Sequence, residues 1–151
     1  MGIRYYAYPV APNDIDDAKR NPDRYLGADP LMDAWGGTEP RPRMLYLDKC
    51  WSCLQGEFGI GTANERPAAE LVRGEVRFVD LGWFGFRRVL DAAEVAAIAN
   101  DLELVLTEVD ATWIDCPFDG ATDYVRSYLT AARYFTQTLA ERGEGLVYLI
   151  G

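Results

Sequence analysis

Apolar residues recur at helical spacing through the second half of this chain. Val95, Ile98, Ala99 and Leu102 fall on one face of a helix predicted over residues 91–106. Asp91 and Glu94 form a capping box at its start, each side chain placed to satisfy a free amide at the other's position. Val125, Tyr128, Leu129, Ala132, Phe135 and Leu139 make the stripe of a second helix, 122–142. Thr122 is its expected cap, Arg142 faces its negative end, and Gly143 is the expected left-handed stop. Residues 115–120, with Pro117 and Gly120, separate the two helices. Residues 146–150 are apolar without interruption, the pattern of a strand covered on both faces.

The first half is read from shorter signals. Residues 3–10 are aromatic and β-branched, a first strand. Asn13 is placed to cap a short helix over 14–20, ended by Asn21 and Pro22. Further helical turns are expected at 23–26 and 30–35, and residues 36–42 form a loop. Residues 44–47 are extended and run into Asp48, whose carboxylate is placed to accept from the first amides of a helix. Cys50, Trp51 and Leu54 then share one helix face. A short strand is expected at 69–72, a weakly alternating one at 76–79, an aromatic, glycine-punctuated loop at 81–86, and a strand at 88–90. Together these predict one α+β domain over residues 1–151: a mixed sheet packed against two main helices, with short N-terminal helices.

Composition narrows the function classes. At 151 residues and 49% apolar content, the chain has the material for one sizeable core. Lys and Arg number 15 against 24 Asp and Glu, a net charge of −9. That charge repels phosphate backbones, which argues against nucleic acid; it suits solubility or a basic protein partner. No apolar run is long enough for a bilayer, and no apolar segment of a secretory signal follows the first residues. Tyr6 stands where a myristoylation signal needs Ser or Thr. Three cysteines imply no disulfide framework, and with these features predict a reducing cytoplasm.

Four stretches resemble a YfbM-like bacterial family of unknown function. Leu47-Asp48-Lys49-x-Trp51 is similar to its strand-to-helix junction. Gly82-Trp83-Phe84-Gly85-Phe86-Arg87 resembles its aromatic glycine loop, and Leu90-Asp91-x-x-Glu94-Val95 its helix start. Phe135 followed by Leu146-Val147-Tyr148 is similar to its last helix and strand. The resemblance covers most of the chain. It departs at Cys50 and Cys53, and at the proline that the aromatic loop lacks here. It implies a small α+β domain and no catalytic residues.

The chemistry left open is limited. Cys50-Trp51-Ser52-Cys53 is a C-x-x-C at a helix start, where a helix dipole would lower a thiol pKa. The chain closes helix-then-strand, the reverse of a thioredoxin fold, and Asp48 opposes a thiolate; the cysteines are therefore read as core. Cys116 with Asp48 or Asp115 could complete a zinc site, but one C-x-x-C without a second pair or histidine is weak, and no metal or other cofactor is expected. The chain has no histidine, which removes Ser-His-Asp and Cys-His nucleophiles. Trp83 and Phe84 lie between glycines beside Arg87 and Arg88, an aromatic surface with guanidinium donors. These four residues are the expected ligand- or partner-binding site of a binding or interaction module, in one form an immunity-type protein. The competing reading is a small-molecule enzyme that uses carboxylates or the Cys50/Cys53 pair. The oligomeric state is not set by the sequence.

Overall fold

The computed structural model describes residues 2–109 and 121–151. Strand β1 (Tyr5–Val10) is followed by a 3-10 turn at Pro12–Asp14, helix α1 (Ile15–Arg20), a second turn at Pro22–Tyr25 and helix α2 (Pro30–Trp35). Strand β2 (Leu45–Asp48) leads into helix α3 (Cys50–Glu57). Strands β3 (Arg77–Val79), β4 (Gly82–Phe84) and β5 (Phe86–Leu90) come next. Helices α4 (Ala92–Val109) and α5 (Ala121–Glu141) precede the last strand, β6 (Gly145–Ile150).

The main sheet has the order β2-β1-β6-β5, so the C-terminal strand lies inside it, as its apolar run predicts. The class is α+β. The expected mixture of strand directions is corrected: every pair in this sheet is antiparallel. The helices supply the reason. Glu103 on α4 meets Arg133 on α5, and Ala99 and Asn100 lie beside Ala140 and Glu141, so the two helices run antiparallel. One crossover helix would return the chain parallel to β5; two return it antiparallel.

Alternation along β1 and β6 divides the core into two clusters. Tyr5, Ala7, Leu146, Tyr148 and Ile150 face α3, α4 and α5, whose stripe residues Leu54, Ile98, Leu102, Leu129 and Leu139 are buried there. Tyr6, Tyr8, Val10 and Val147 face the short N-terminal helices through Ala18 and Ala34. On that side the Tyr8 hydroxyl donates to the buried Asp33 carboxylate at 2.8 Å.

The local signals read correctly are those whose partners are close in sequence. The Asp91 amide donates to Glu94 Oε2 at 2.8 Å and the Glu94 amide to Asp91 Oδ1 at 2.9 Å, a complete capping box. Gly143 has φ 65° and its amide donates to the Ala140 carbonyl, ending α5. Helix α5 begins at Ala121, so Thr122 lies inside its first turn rather than capping it. Asn13 likewise makes no cap; it sits within the 3-10 turn before α1. The strand expected at 69–72 is a 3-10 helix, Pro67–Leu71. Pro67 fixes a helical φ at its first position, and the Asp101 carboxylate accepts the Ala68 amide at 2.8 Å.

Candidate functional site

The segment expected as an aromatic loop is a hairpin arm and a strand. Among the described residues, strands β3 and β4 pair only with each other, in a two-stranded sheet apart from the main one. Phe78 pairs with Trp83, and Arg77 with Phe84, so each cross-strand pair occupies its own face. The Arg77 guanidinium lies 5.0 Å from the Phe84 ring centroid, a cation–π contact. The side chains are largely in solvent: Phe78 is 71% exposed, Phe84 57%, and Leu81 at the tip fully so; Val79 and Trp83 are partly exposed.

Gly85 carries the chain from this hairpin into the main sheet. A Cβ there would lie 2.9 Å from Leu149 Cδ1 and 3.1 Å from the Ile150 carbonyl oxygen, so a side chain does not fit without movement of β6. Beyond it, strand alternation sends Arg87 and Arg88 to opposite faces of β5. Arg87 pairs with Asp23 and donates to the Gly85 carbonyl at 3.0 Å. Arg88 pairs with Glu70 at 2.5 Å, a carboxylate that Arg73 also binds at 2.8 Å. The four expected site residues therefore separate. Trp83 and Phe84 stand out on the hairpin, while Arg87 and Arg88 are engaged in separate ion pairs within the chain, the first of them at the surface.

The β2–α3 junction departs from expectation. Asp48 has φ 47°, the left-handed region that side chains other than asparagine and aspartate seldom adopt. The helix N-cap position falls at Lys49, which makes no side-chain cap bond. The Asp48 carboxylate turns back instead. Arg4 Nε donates to Oδ1 at 3.0 Å, the Tyr46 hydroxyl to Oδ1 at 2.9 Å and the Tyr124 hydroxyl to Oδ2 at 3.2 Å. Three donors, one of them charged, outcompete the free amides of α3. The junction thus ties β1, β2 and α5 together. Arg4 also lies 5.8 Å from the ring centroid of the exposed Trp35.

The cysteines do not form a reactive pair. Cys50 is free and fully buried, whereas Cys53 is disulfide-bonded, so the two are not joined to each other. This corrects the expectation that the thiols imply no disulfide. Burial, and second to it the charge of Asp48, pushes the Cys50 thiol up to about 12. Such a thiol is almost wholly protonated at neutral pH and a poor nucleophile. An alkylating reagent at neutral pH should therefore leave Cys50 unmodified in the native protein and modify it on unfolding. In the unfolded, unreduced chain Cys53 should stay protected until a reductant is added. Peptide mapping checks both, and labelling of Cys53 without reductant would show that it carries no disulfide.

Among the described residues, no group of three or more Cys, Asp or Glu side chains is arranged to hold a metal ion. Cys116 and Asp115, considered above as ligands, lie outside the described residues, as does the whole break expected at 115–120. Among the described residues, no helix is long and apolar enough to cross a membrane.

With hairpin, sheet and junction in place, the fold can be compared with solved proteins. The crystal structure of YfbM from Escherichia coli, a protein of unknown function, matches 99% of this chain and 100% of its own, with a TM-score of 0.57 and 18% identity. The chain has the fold of YfbM. At that identity the likeness concerns the fold alone. It agrees with the family resemblance carried by the Leu47–Trp51, Gly82–Arg87 and Leu90–Val95 stretches, all of which lie at element boundaries. No family model matches the chain, and no curated protein matches it.

Proposed function

We propose that this chain is a non-enzymatic binding module that holds a protein partner through the β3–β4 hairpin. One observation carries the reading: Phe78, Val79, Leu81, Trp83 and Phe84 are gathered, exposed, on an arm outside the main sheet. An isolated two-stranded hairpin is only marginally stable in water, and exposed apolar clusters of this kind mark interaction surfaces. Among the described residues no further strand pairs with the arm's edges, which a partner strand can extend. Glu75 precedes the arm, Asp80 lies in its turn, and the chain carries a net charge of −9, so a basic partner is favoured. An immunity-type protein that covers a basic toxin domain is one form this takes. The cytoplasm inferred from composition belongs to the same reading. The disulfide at Cys53 weighs against that location, because disulfides persist in oxidising compartments.

A photocrosslinking amino acid at Leu81, compared with one at Asn100 on α4, tests the proposal in cells. Both positions are exposed. Leu81 should give a discrete adduct with one protein, and Asn100 should not. No adduct at Leu81, or the same adducts from both positions, would count against the hairpin as the contact surface.

A further inference from the structure

A second surface differs from the hairpin in both shape and charge. A groove of about 540 Å³ runs between α5 and the segment that enters β2. Its apolar lining includes Met44, Leu45, Ala131 and Phe135, with Tyr46 and Tyr134 as further ring faces. Three arginines, Arg41, Arg43 and Arg142, complete it, and among the described residues no acidic one lines it. That volume lies within the range of small-molecule sites, about 300–1,000 Å³.

The charge balance selects the ligand. Arg43 is held by Glu144, donating from Nη2 to Oε1 at 3.0 Å and from Nη1 to Oε2 at 3.3 Å. The Arg142 Nε lies 3.9 Å from the same carboxylate. Arg41 spends one donor on the Ala34 carbonyl at 3.0 Å and makes no ion pair with another described residue. Two of the three guanidinium groups thus share the Glu144 carboxylate and Arg41 has none, so the donors left over belong to Arg41 and Arg142. The local excess is positive in a chain whose net charge is −9. A phosphate monoester, with its near-double negative charge and three acceptor oxygens, matches that excess better than a single carboxylate. The aromatic lining adds a preference for a planar body. Tyr134 is 76% exposed on the wall of the groove, although large aromatic side chains usually bury their rings.

We propose that this groove binds a small phosphate monoester of a planar ring, the chemistry shared by nucleoside monophosphates and simple aryl phosphates. The phosphate sits at Arg41 and Arg142. The ring lies against Tyr134, Phe135 and Tyr46. Arg43, neutralised by Glu144, fixes the shape of the phosphate end. Nothing in this site depends on the hairpin, so either surface can fail without the other.

Calorimetric titration tests this with AMP, phenyl phosphate, adenosine and inorganic phosphate on the intact chain. At least one of the two esters should bind saturably, about tenfold or more tighter than adenosine and than inorganic phosphate. Binding of AMP alone assigns the ring to a nucleobase, and binding of phenyl phosphate alone to an aryl group. Arg41→Gln combined with Arg142→Gln should weaken binding about 10- to 100-fold, the loss of charge-assisted hydrogen bonds. Both side chains are exposed, so the melting temperature should hold. Glu144→Gln should act in the opposite direction and tighten binding severalfold, because it releases Arg43. No saturable binding of either ester at millimolar concentration would overturn the proposal. So would inorganic phosphate binding as tightly as the esters, or an affinity that neither variant shifts in its expected direction.

Discussion

Val147→Asp should leave the chain unfolded. Val147 is fully buried near the middle of β6, the inner strand, and packs against the cluster beneath the N-terminal helices. Its neighbours there are Tyr8, Val10 and Ala18, and its backbone is already paired with both β1 and β5. A carboxylate at this position loses water and gains no cationic partner, a cost of several kcal/mol even after the protein relaxes. Native domains have only about 5–15 kcal/mol to lose. Circular dichroism and proton NMR should show loss of the cooperative melt and of dispersed resonances. A Val147→Asp protein that melts cooperatively within a few degrees of wild type would contradict the placement of β6.

The second large effect is expected at Asp101, a position with no outstanding sequence signal. Its carboxylate, nearly buried on α4, accepts from Arg66 Nη2 at 2.9 Å, from Arg66 Nε at 3.1 Å and from the Ala68 amide at 2.8 Å. This one group therefore fastens the 3-10 helix at Pro67–Leu71 onto α4. Asp101→Ala leaves a partly buried guanidinium and an orphaned amide. Breaking a buried pair from one side costs about 3–5 kcal/mol. Arg66 keeps Glu108 at 2.6 Å, which places the loss near the lower end. For a chain of this size that is a fall in melting temperature of about 6–12 °C. Asp101→Asn retains an acceptor for the Ala68 amide and should lose less. Urea denaturation measures both, and a change below about 1 kcal/mol for Asp101→Ala would mean the contact is a dispensable surface pair.

These two positions mark what could be read from the sequence and what could not. Val147 sits in an uninterrupted apolar run, and the capping box, the α5 stripe and the Gly143 stop are equally local. Their meaning is set by residues three or four positions away. Asp101, Asp48 and the two site arginines take their meaning from distant partners. Asp48 has the composition of a helix cap, yet Arg4, 44 residues earlier, claims its carboxylate. Arg87 and Arg88 are adjacent in sequence, and strand alternation separates them onto Asp23 and Glu70 on opposite faces. Pairing direction was likewise hidden, because it follows from two helices packing as a hairpin rather than from any strand's own pattern. Arg41 falls in the loop expected at 36–42 and Arg43 between that loop and the extended segment 44–47, where neither carries a local pattern of its own. Two arginines around one proline in so acidic a chain were the available signal for the groove.

The hairpin remains the central functional question, and Trp83→Ser with Phe84→Ser addresses it most directly. Both side chains are substantially exposed and lie outside the main sheet, so their loss should cost the fold little. An interface draws most of its energy from a few aromatic anchors, so their loss should cost binding a great deal. The measurement is the affinity for the Leu81-crosslinked partner, taken beside the melting temperature of the same variant. A binding surface requires an unchanged melt and at least a hundredfold weaker complex, the equivalent of about 2.7 kcal/mol. A collapsed melt would instead make Trp83 and Phe84 part of the core, and an unchanged affinity would remove the hairpin from the interface.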